Sequence, residues 1–176
     1  SYGAHENYLI SRDVPFEQVA DALLPFFATR AIFTGAGRVG IGTHGEVPGF
    51  QISSRADFFE RTIGLETTIR RPFVNTRDEP HADASKFRRM HVINGDSNMA
   101  EPTTLLKIAS TDLVLRMLED RFPVTSLDIV SVPAALRAIS HDLTGTATFE
   151  TTDGKNYTAL SVQRHYLDAA RQYVQQ

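Results

Sequence analysis

Residues 99–120 read MAEPTTLLKIASTDLVLRMLED, and this stretch decides the fold class. Its apolar positions Leu105, Leu106, Ile108, Ala109, Leu113, Val114, Met117 and Leu118 recur at helical spacing. That spacing predicts a long helix laying one broad face on a sheet. Segments N-terminal to it supply the strands. Residues 2–10, YGAHENYLI, carry enough Tyr, Leu and Ile for a strand with polar residues on one face. Residues 50–54 and 64–75 alternate as strands do, and Met90–Ile93 is another.

The remaining elements follow from spacing and turn chemistry. From Phe16 to about Phe33 the residues Val19, Ala20, Leu23, Leu24, Phe27 and Ala31 fall at helical intervals, and Pro25 lies inside the pattern. A helix kinked near Pro25 is expected. Residues 35–49, GAGRVGIGTHGEVPG, hold six glycines in fifteen positions and predict turns with a short strand at most. Past the long helix, Pro133–Ser140 reads as a short helix, Thr146–Thr158 as a hairpin around Asp153-Gly154, and Ala159–Val174 as a final amphipathic helix. The sum is one mixed α+β unit, without internal repeat or low-complexity linker.

Composition narrows the chemistry. With 176 residues, 41% of them hydrophobic, the chain is long enough for one compact core. The absence of cysteine excludes disulfides, thiolate metal sites and a cysteine nucleophile, so any metal rests on His, Asp, Glu or Asn. A net charge of −3, with both signs interspersed, argues against a nucleic-acid partner. No apolar run approaches the roughly 18–20 residues of a membrane span, and the opening SYGAHENYLI lacks the features of a signal peptide. A cytoplasmic protein is the expectation.

Three local patterns carry candidate chemistry. Gly35–Gly40 spells a dinucleotide fingerprint, but a helix precedes it and another glycine turn follows, so it reads as a structural loop. In HENY, alternation sends His5 and Asn7 to one face and Glu6 to the other. Between Asn75 and His91 lie Arg77, Arg88, Arg89, Asp78, Glu79, Asp83, His81 and His91. Both signs at that density suit an anion with a divalent cation, since guanidinium forks bind phosphate and carboxylates bind magnesium. A solvated charged loop with local ion pairs fits the same composition, and the spacing names no metal. Asp96, Ser97 or Asn98 reads as a cap for the long helix, at whose N-terminus an anion would also be favoured.

Taken together, SYGAHENYL (1–9), NTRDEPHAD (75–83), FRRMHVINGDSNMAEPTTLLK (87–107) and AISHDLTG (138–145) resemble the paired enzymes of bacterial pupylation, the Pup ligase and the Pup deamidase/depupylase. The stretch GRVGIGTHGEVPGFQISSRADFFE (37–60) followed by GLETT (64–68) is similar to the depupylase branch. The resemblance implies a glutamine synthetase-like catalytic domain, in which a curved antiparallel sheet cradles ATP and Mg2+ and helices pack on one face. It implies hydrolysis of the C-terminal glutamine amide of Pup and of the Pup–lysine isopeptide bond. The ligase branch instead forms that bond through a glutamyl phosphate. A non-catalytic fragment that binds Pup or another partner is a third reading. Pup and pupylated proteins are the implied partners, with a connection to the bacterial proteasome. By the same resemblance, residues 1–176 are the central portion of the domain, and the strands bearing the nucleophilic aspartate and the C-terminal domain lie elsewhere.

Carried over by position, the resemblance assigns His5, His91 and Glu79 to metal, and His5, Asn7, Arg77, Arg89 and Asp96 to nucleotide. Arg77 and Arg88 are assigned to stabilising phosphate or the transition state.

Overall fold

The computed structural model describes residues 2–40, 48–65, 70–124 and 126–176. Strand β1 (Gly3–Ser11) leads into helix α1 (Phe16–Thr29) and the short α2 (Ala31–Thr34). A small hairpin of β2 (Arg38–Gly40) and β3 (Gly49–Gln51) follows, then a single 3-10 turn at Ala56–Phe58. Strands β4 (Phe59–Gly64), β5 (Arg71–Asn75) and β6 (Phe87–Asp96) precede helices α3 (Glu101–Glu119) and α4 (Val132–His141). Strands β7 (Thr148–Glu150) and β8 (Asn156–Thr158) form a terminal hairpin, and α5 (Ala159–Val174) closes the described chain.

The main sheet runs β1-β6-β5-β4. It is antiparallel between β1 and β6 and between β6 and β5, and parallel between β5 and β4. The α+β class and the dominantly antiparallel sheet agree with the reading of the sequence. Burial along β1 alternates strictly from His5 to Ile10, and Glu6 and Ile10 face the helices. Ile10, Val74, Met90 and Val92 from the sheet join Leu23, Phe26 and Phe27 of α1, Val114 and Leu118 of α3 and Leu136 of α4 in one core. The helices therefore cover one face, and the other is left to ligands or solvent.

Several elements depart from expectation. The apolar stretch 64–75 is not one strand; it splits between the end of β4 and β5, and residues 66–69 lie outside the described residues. Periodicity sees alternation in both pieces and cannot see that they are separate, parallel strands. The helix after Phe16 runs through Pro25, and the interruption falls at Arg30. Proline removes one backbone donor, which frees the carbonyl one turn earlier. That carbonyl, on Asp21, accepts from Ser126 Oγ at 3.3 Å. Helix α3 begins after Ala100 with no side-chain cap. The expected capping residues hold a lysine instead: Lys107 Nζ donates to the Asp96 carbonyl and to Asn98 Oδ1, both at 2.8 Å.

The contact joining the two layers is a buried ion pair. Arg30 Nη2 donates to Glu6 Oε1 at 2.5 Å, and Nη1 donates to Oε2 at 2.9 Å. Arg30 is 1% and Glu6 4% exposed. Removing one partner leaves the other charge buried and unpaired. In the complete protein, Arg30→Ala is expected to lower unfolding free energy by about 3–5 kcal/mol, and Arg30→Met with Glu6→Leu by much less. Denaturant unfolding checks this, and a single variant within about 0.5 kcal/mol of wild type would show that the pair is not the joint.

Candidate functional site

The face of β1 and β6 away from the helices carries the candidate site. On β1 the alternation that buries Glu6 turns His5 and Asn7 outward. Asn7 sits opposite His91 of β6, and Asn75 of β5 flanks His91 on the other side. His5 Nδ1 and His91 Nε2 are 3.1 Å apart, within hydrogen-bonding distance. Arg89 Nε donates to Asn7 Oδ1 at 2.7 Å.

A β-bulge shapes this corner. The register runs Ala4↔Gly95 and then Glu6↔Val92, so Ile93 and Asn94 together face the single residue His5. An extra residue of this kind leaves ladder groups unpaired and bends the strand. Arg55 answers the unpaired carbonyls: its Nη1 donates to Ile93 O at 2.5 Å and to Gly95 O at 3.0 Å. Its guanidinium lies so close to β1 that a Cβ on Gly3 would come within 2.2 Å of Nη1, so any larger residue there would have to displace the guanidinium. The Arg55 Cζ stands 5.1 Å from the Phe59 ring, and its Nε is buried without an acceptor.

Arg71, at the start of β5, rests against the Phe58 ring at 5.9 Å. Among the described residues, Arg55, Arg71 and Arg89 form no ion pair with a carboxylate. The resulting field acts on the histidines. Burial first, then Arg55, Arg71 and Arg89, lowers the His5 pKa. Burial, Arg89 and His5 lower that of His91 to about 4. Both imidazoles are therefore neutral near pH 7, the state in which a ring nitrogen can bind a metal.

The structure brings His5, Asn7, Arg89 and His91 together and separates the other residues named from the sequence. Arg88 points to the helix face, because it pairs with Ile10 and neighbours in a strand alternate. Its guanidinium stands 5.8 Å from the Phe16 ring. Arg77 and Glu79 pair with each other at 3.7 Å in the exposed connection after β5. The Asp96 carboxylate is committed to the chain around the glycine segment. It accepts from Ala36 N and Ser54 N, each at 2.8 Å, and from Ser53 Oγ at 3.0 Å. Sequence reasoning did not single out Arg55 or Arg71. The missed signal for Arg55 was an arginine three residues before an aromatic pair, Phe58-Phe59, for which spacing offers no rule. Among the described residues no group of three His, Cys, Asp or Glu is placed to hold a metal ion.

A family model described as Pup-ligase protein matches residues 1–176. The Pup--protein ligase of Rothia mucilaginosa is 71% identical over 191 residues, covering 100% of this chain and 38% of its own length. The depupylase of Acidothermus cellulolyticus is 54% identical over 175 residues, covering 99% of this chain and 35% of its own. Among solved structures, the Pup ligase PafA in complex with ADP superposes with a TM-score of 0.85 at 40% identity, covering 99% of this chain and 38% of that one. A complex of Pup with PafA gives a TM-score of 0.88 at 42% identity, covering 99% and 35%. The chain thus spans little more than a third of the length of these relatives.

The depressed histidine pKa has a measurable consequence for the protein without metal. A histidine ordinarily titrates near 6.5, so between about 6.5 and 4 the unfolded chain binds the proton that folded His91 refuses. Stability is expected to fall as pH falls through that window and to level off below it. A proton NMR titration of the His91 ring is expected to give a midpoint near 4, and a midpoint near 6.5 would contradict the environment described.

Proposed function

Because the chain belongs to the Pup-ligase family, we propose that residues 1–176 are the central part of a glutamine synthetase-like catalytic domain acting on the C-terminal side chain of Pup. The first reading is Mg-ATP-dependent deamidation of Pup's terminal glutamine and hydrolysis of the Pup–lysine isopeptide bond. The single observation that carries a nucleotide-dependent reaction is the ligand face itself, with three guanidinium groups that have no carboxylate partner among the described residues around a pair of neutral imidazoles.

Phosphate fits these residues. Arg71 and Arg89 offer planar donors to anionic oxygens, Asn7 holds Arg89 in place, and buried Arg55, whose Nη1 is committed to backbone carbonyls, adds positive charge beneath them. When an amide or isopeptide carbonyl is attacked, negative charge develops on its oxygen, and donors already oriented there stabilise it. Magnesium fits in part. His5 and His91 would give it two nitrogen donors, which is fewer than a magnesium site needs and softer than its usual oxygen ligands. Bound Mg-ATP would supply the phosphate oxygens and the positive charge that orient the reacting carboxyl group. Arg77 and Glu79, in the exposed connection after β5, would reach the site only by rearrangement.

The second reading is the ligase reaction, which joins Pup's terminal glutamate to a lysine. The 71% identity to a Pup ligase favours it. The depupylase reading draws on the 54% and 51% identical relatives named depupylases and on the sequence of the glycine segment, of which residues 41–47 and 66–68 lie outside the described residues. The two differ in their products. The complete protein, Mg-ATP and Pup ending in glutamine are expected to yield Pup in which the terminal amide NH2 has become OH, read by intact mass. No mass change, with conjugates forming from Pup ending in glutamate, would establish the ligase reading instead. In either assay His91→Ala is expected to abolish metal-dependent turnover while leaving Pup affinity intact.

A further inference from the structure

We infer that His141 is a positioning residue for the ligand face, acting through the buried carboxylate of Asp57. This rests on the reading of that face as a nucleotide site. His141 closes α4 and lies on the helix side of the molecule, yet its Nε2 donates to Asp57 Oδ1 at 2.8 Å. The Asp57 side chain is 0% exposed. Its other oxygen, Oδ2, accepts from Gln51 Nε2 at 3.1 Å and Arg38 Nη1 at 3.2 Å.

Those two donors are not independent. Arg38 and Gln51 are cross-strand partners in the β2–β3 hairpin, directly opposite one another in its register. One carboxylate therefore holds both strands of the hairpin at the same rung, and His141 holds the carboxylate. The chain of contacts continues to the site. Phe58 follows Asp57 in sequence, and the Arg38 Cζ stands 5.1 Å from one ring that Arg71 approaches at 5.9 Å. Arg71 has no hydrogen-bonded acceptor among the described residues, so the Phe58 ring is its shelf, and Asp57 sets where that shelf stands.

The energetic argument uses the same groups. A buried carboxylate that loses one of its donors keeps its desolvation cost, and it relieves the deficit by moving toward water or its remaining partners. Either shift drags Phe58 and the Arg38–Gln51 rung. An N–H on Nε2 is all the contact requires of the imidazole. Glutamine can offer an amide N–H from about the same position, whereas alanine cannot.

The test uses the complete protein and reads nucleotide binding by calorimetry, alongside melting temperature and Pup turnover. His141→Ala is expected to weaken ATP binding about tenfold, the size of one lost hydrogen bond to a charged group. His141→Gln is expected to restore most of that loss. Phe58→Leu is expected to weaken binding similarly and to add little in combination with His141→Ala, because both act through one route. Wild-type affinity in His141→Ala would overturn the inference. So would equal loss in the Ala and Gln variants, or full additivity with Phe58→Leu. Failure of the wild type to convert Pup, with ATP binding intact, would overturn the Pup reading and leave the His141 comparison decisive. A wild type that binds no ATP would overturn both.

Discussion

The buried Glu6–Arg30 pair is the constraint from which the rest of the molecule takes its register. Glu6 Oε2 also accepts from the Tyr8 hydroxyl at 2.6 Å. Arg30 Nη1 donates to Thr111 Oγ1 at 2.7 Å and Nη2 donates to Asn94 Oδ1 at 3.3 Å. The Arg30 Cζ stands 4.6 Å from the Phe27 ring. One guanidinium thereby joins β1, β6, α1 and α3, and its charge is matched in a place where an unmatched charge would be prohibitive. A strand that slipped by one residue would bury His5 and Asn7 and expose Glu6, leaving Arg30 alone among the helices. The pair excludes that slip. Gly95 belongs to the same arrangement, because a Cβ there would come within 2.8 Å of Glu6 Oε1.

From that fixed register the chemistry of the open face follows by alternation and by one defect in it. Glu6 inward requires His5 and Asn7 outward, and Arg89 outward requires Arg88 inward. The defect is the bulge at Ile93 and Asn94. Without it the carbonyls of Ile93 and Gly95 would be part of an ordinary ladder, and Arg55 would have no reason to cross the sheet. With it, Arg55 is drawn over Gly3 and adds a charge beside His5.

Much of the fold was legible because α1, α4 and α5 are amphipathic, α3 is a long run without a breaker, and the β7–β8 hairpin has a clear turn. The windows around α3, α4 and α5 agree with the structure within a few residues, and the opposed faces of His5 and Glu6 follow from period-two alternation alone. What was illegible depends on contacts distant in sequence. Arg88 and Arg89 look equivalent in a list of charges, and only the register of β6 tells them apart. Asp96 looks like a cap or a ligand, but its oxygens meet backbone amides some forty and sixty residues away. Arg55 is ordinary in sequence, and its importance comes from a bulge that no pattern announces. The same holds for Asp57 and His141, which are 84 residues apart.

The electrostatics of the open face constrain the order in which ligands can favour it. Burial keeps His5 and His91 unprotonated, helped by Arg55, Arg71 and Arg89 at His5 and by Arg89 at His91, and these guanidinium groups also repel any other cation that approaches. A bare divalent ion would find two neutral nitrogens and, around them, Arg55, Arg71 and Arg89. Each of these positive charges opposes a divalent ion, and the opposition grows as the local dielectric falls below that of water. A polyphosphate reverses the sign. Its oxygens are attracted to the guanidinium groups, and once there they supply the hard, negative donors that the imidazoles lack. On the proposed reading such a face takes its anion first and accepts a metal through it, and the charges that would recruit the anion add to burial in disfavouring protonation of the imidazoles.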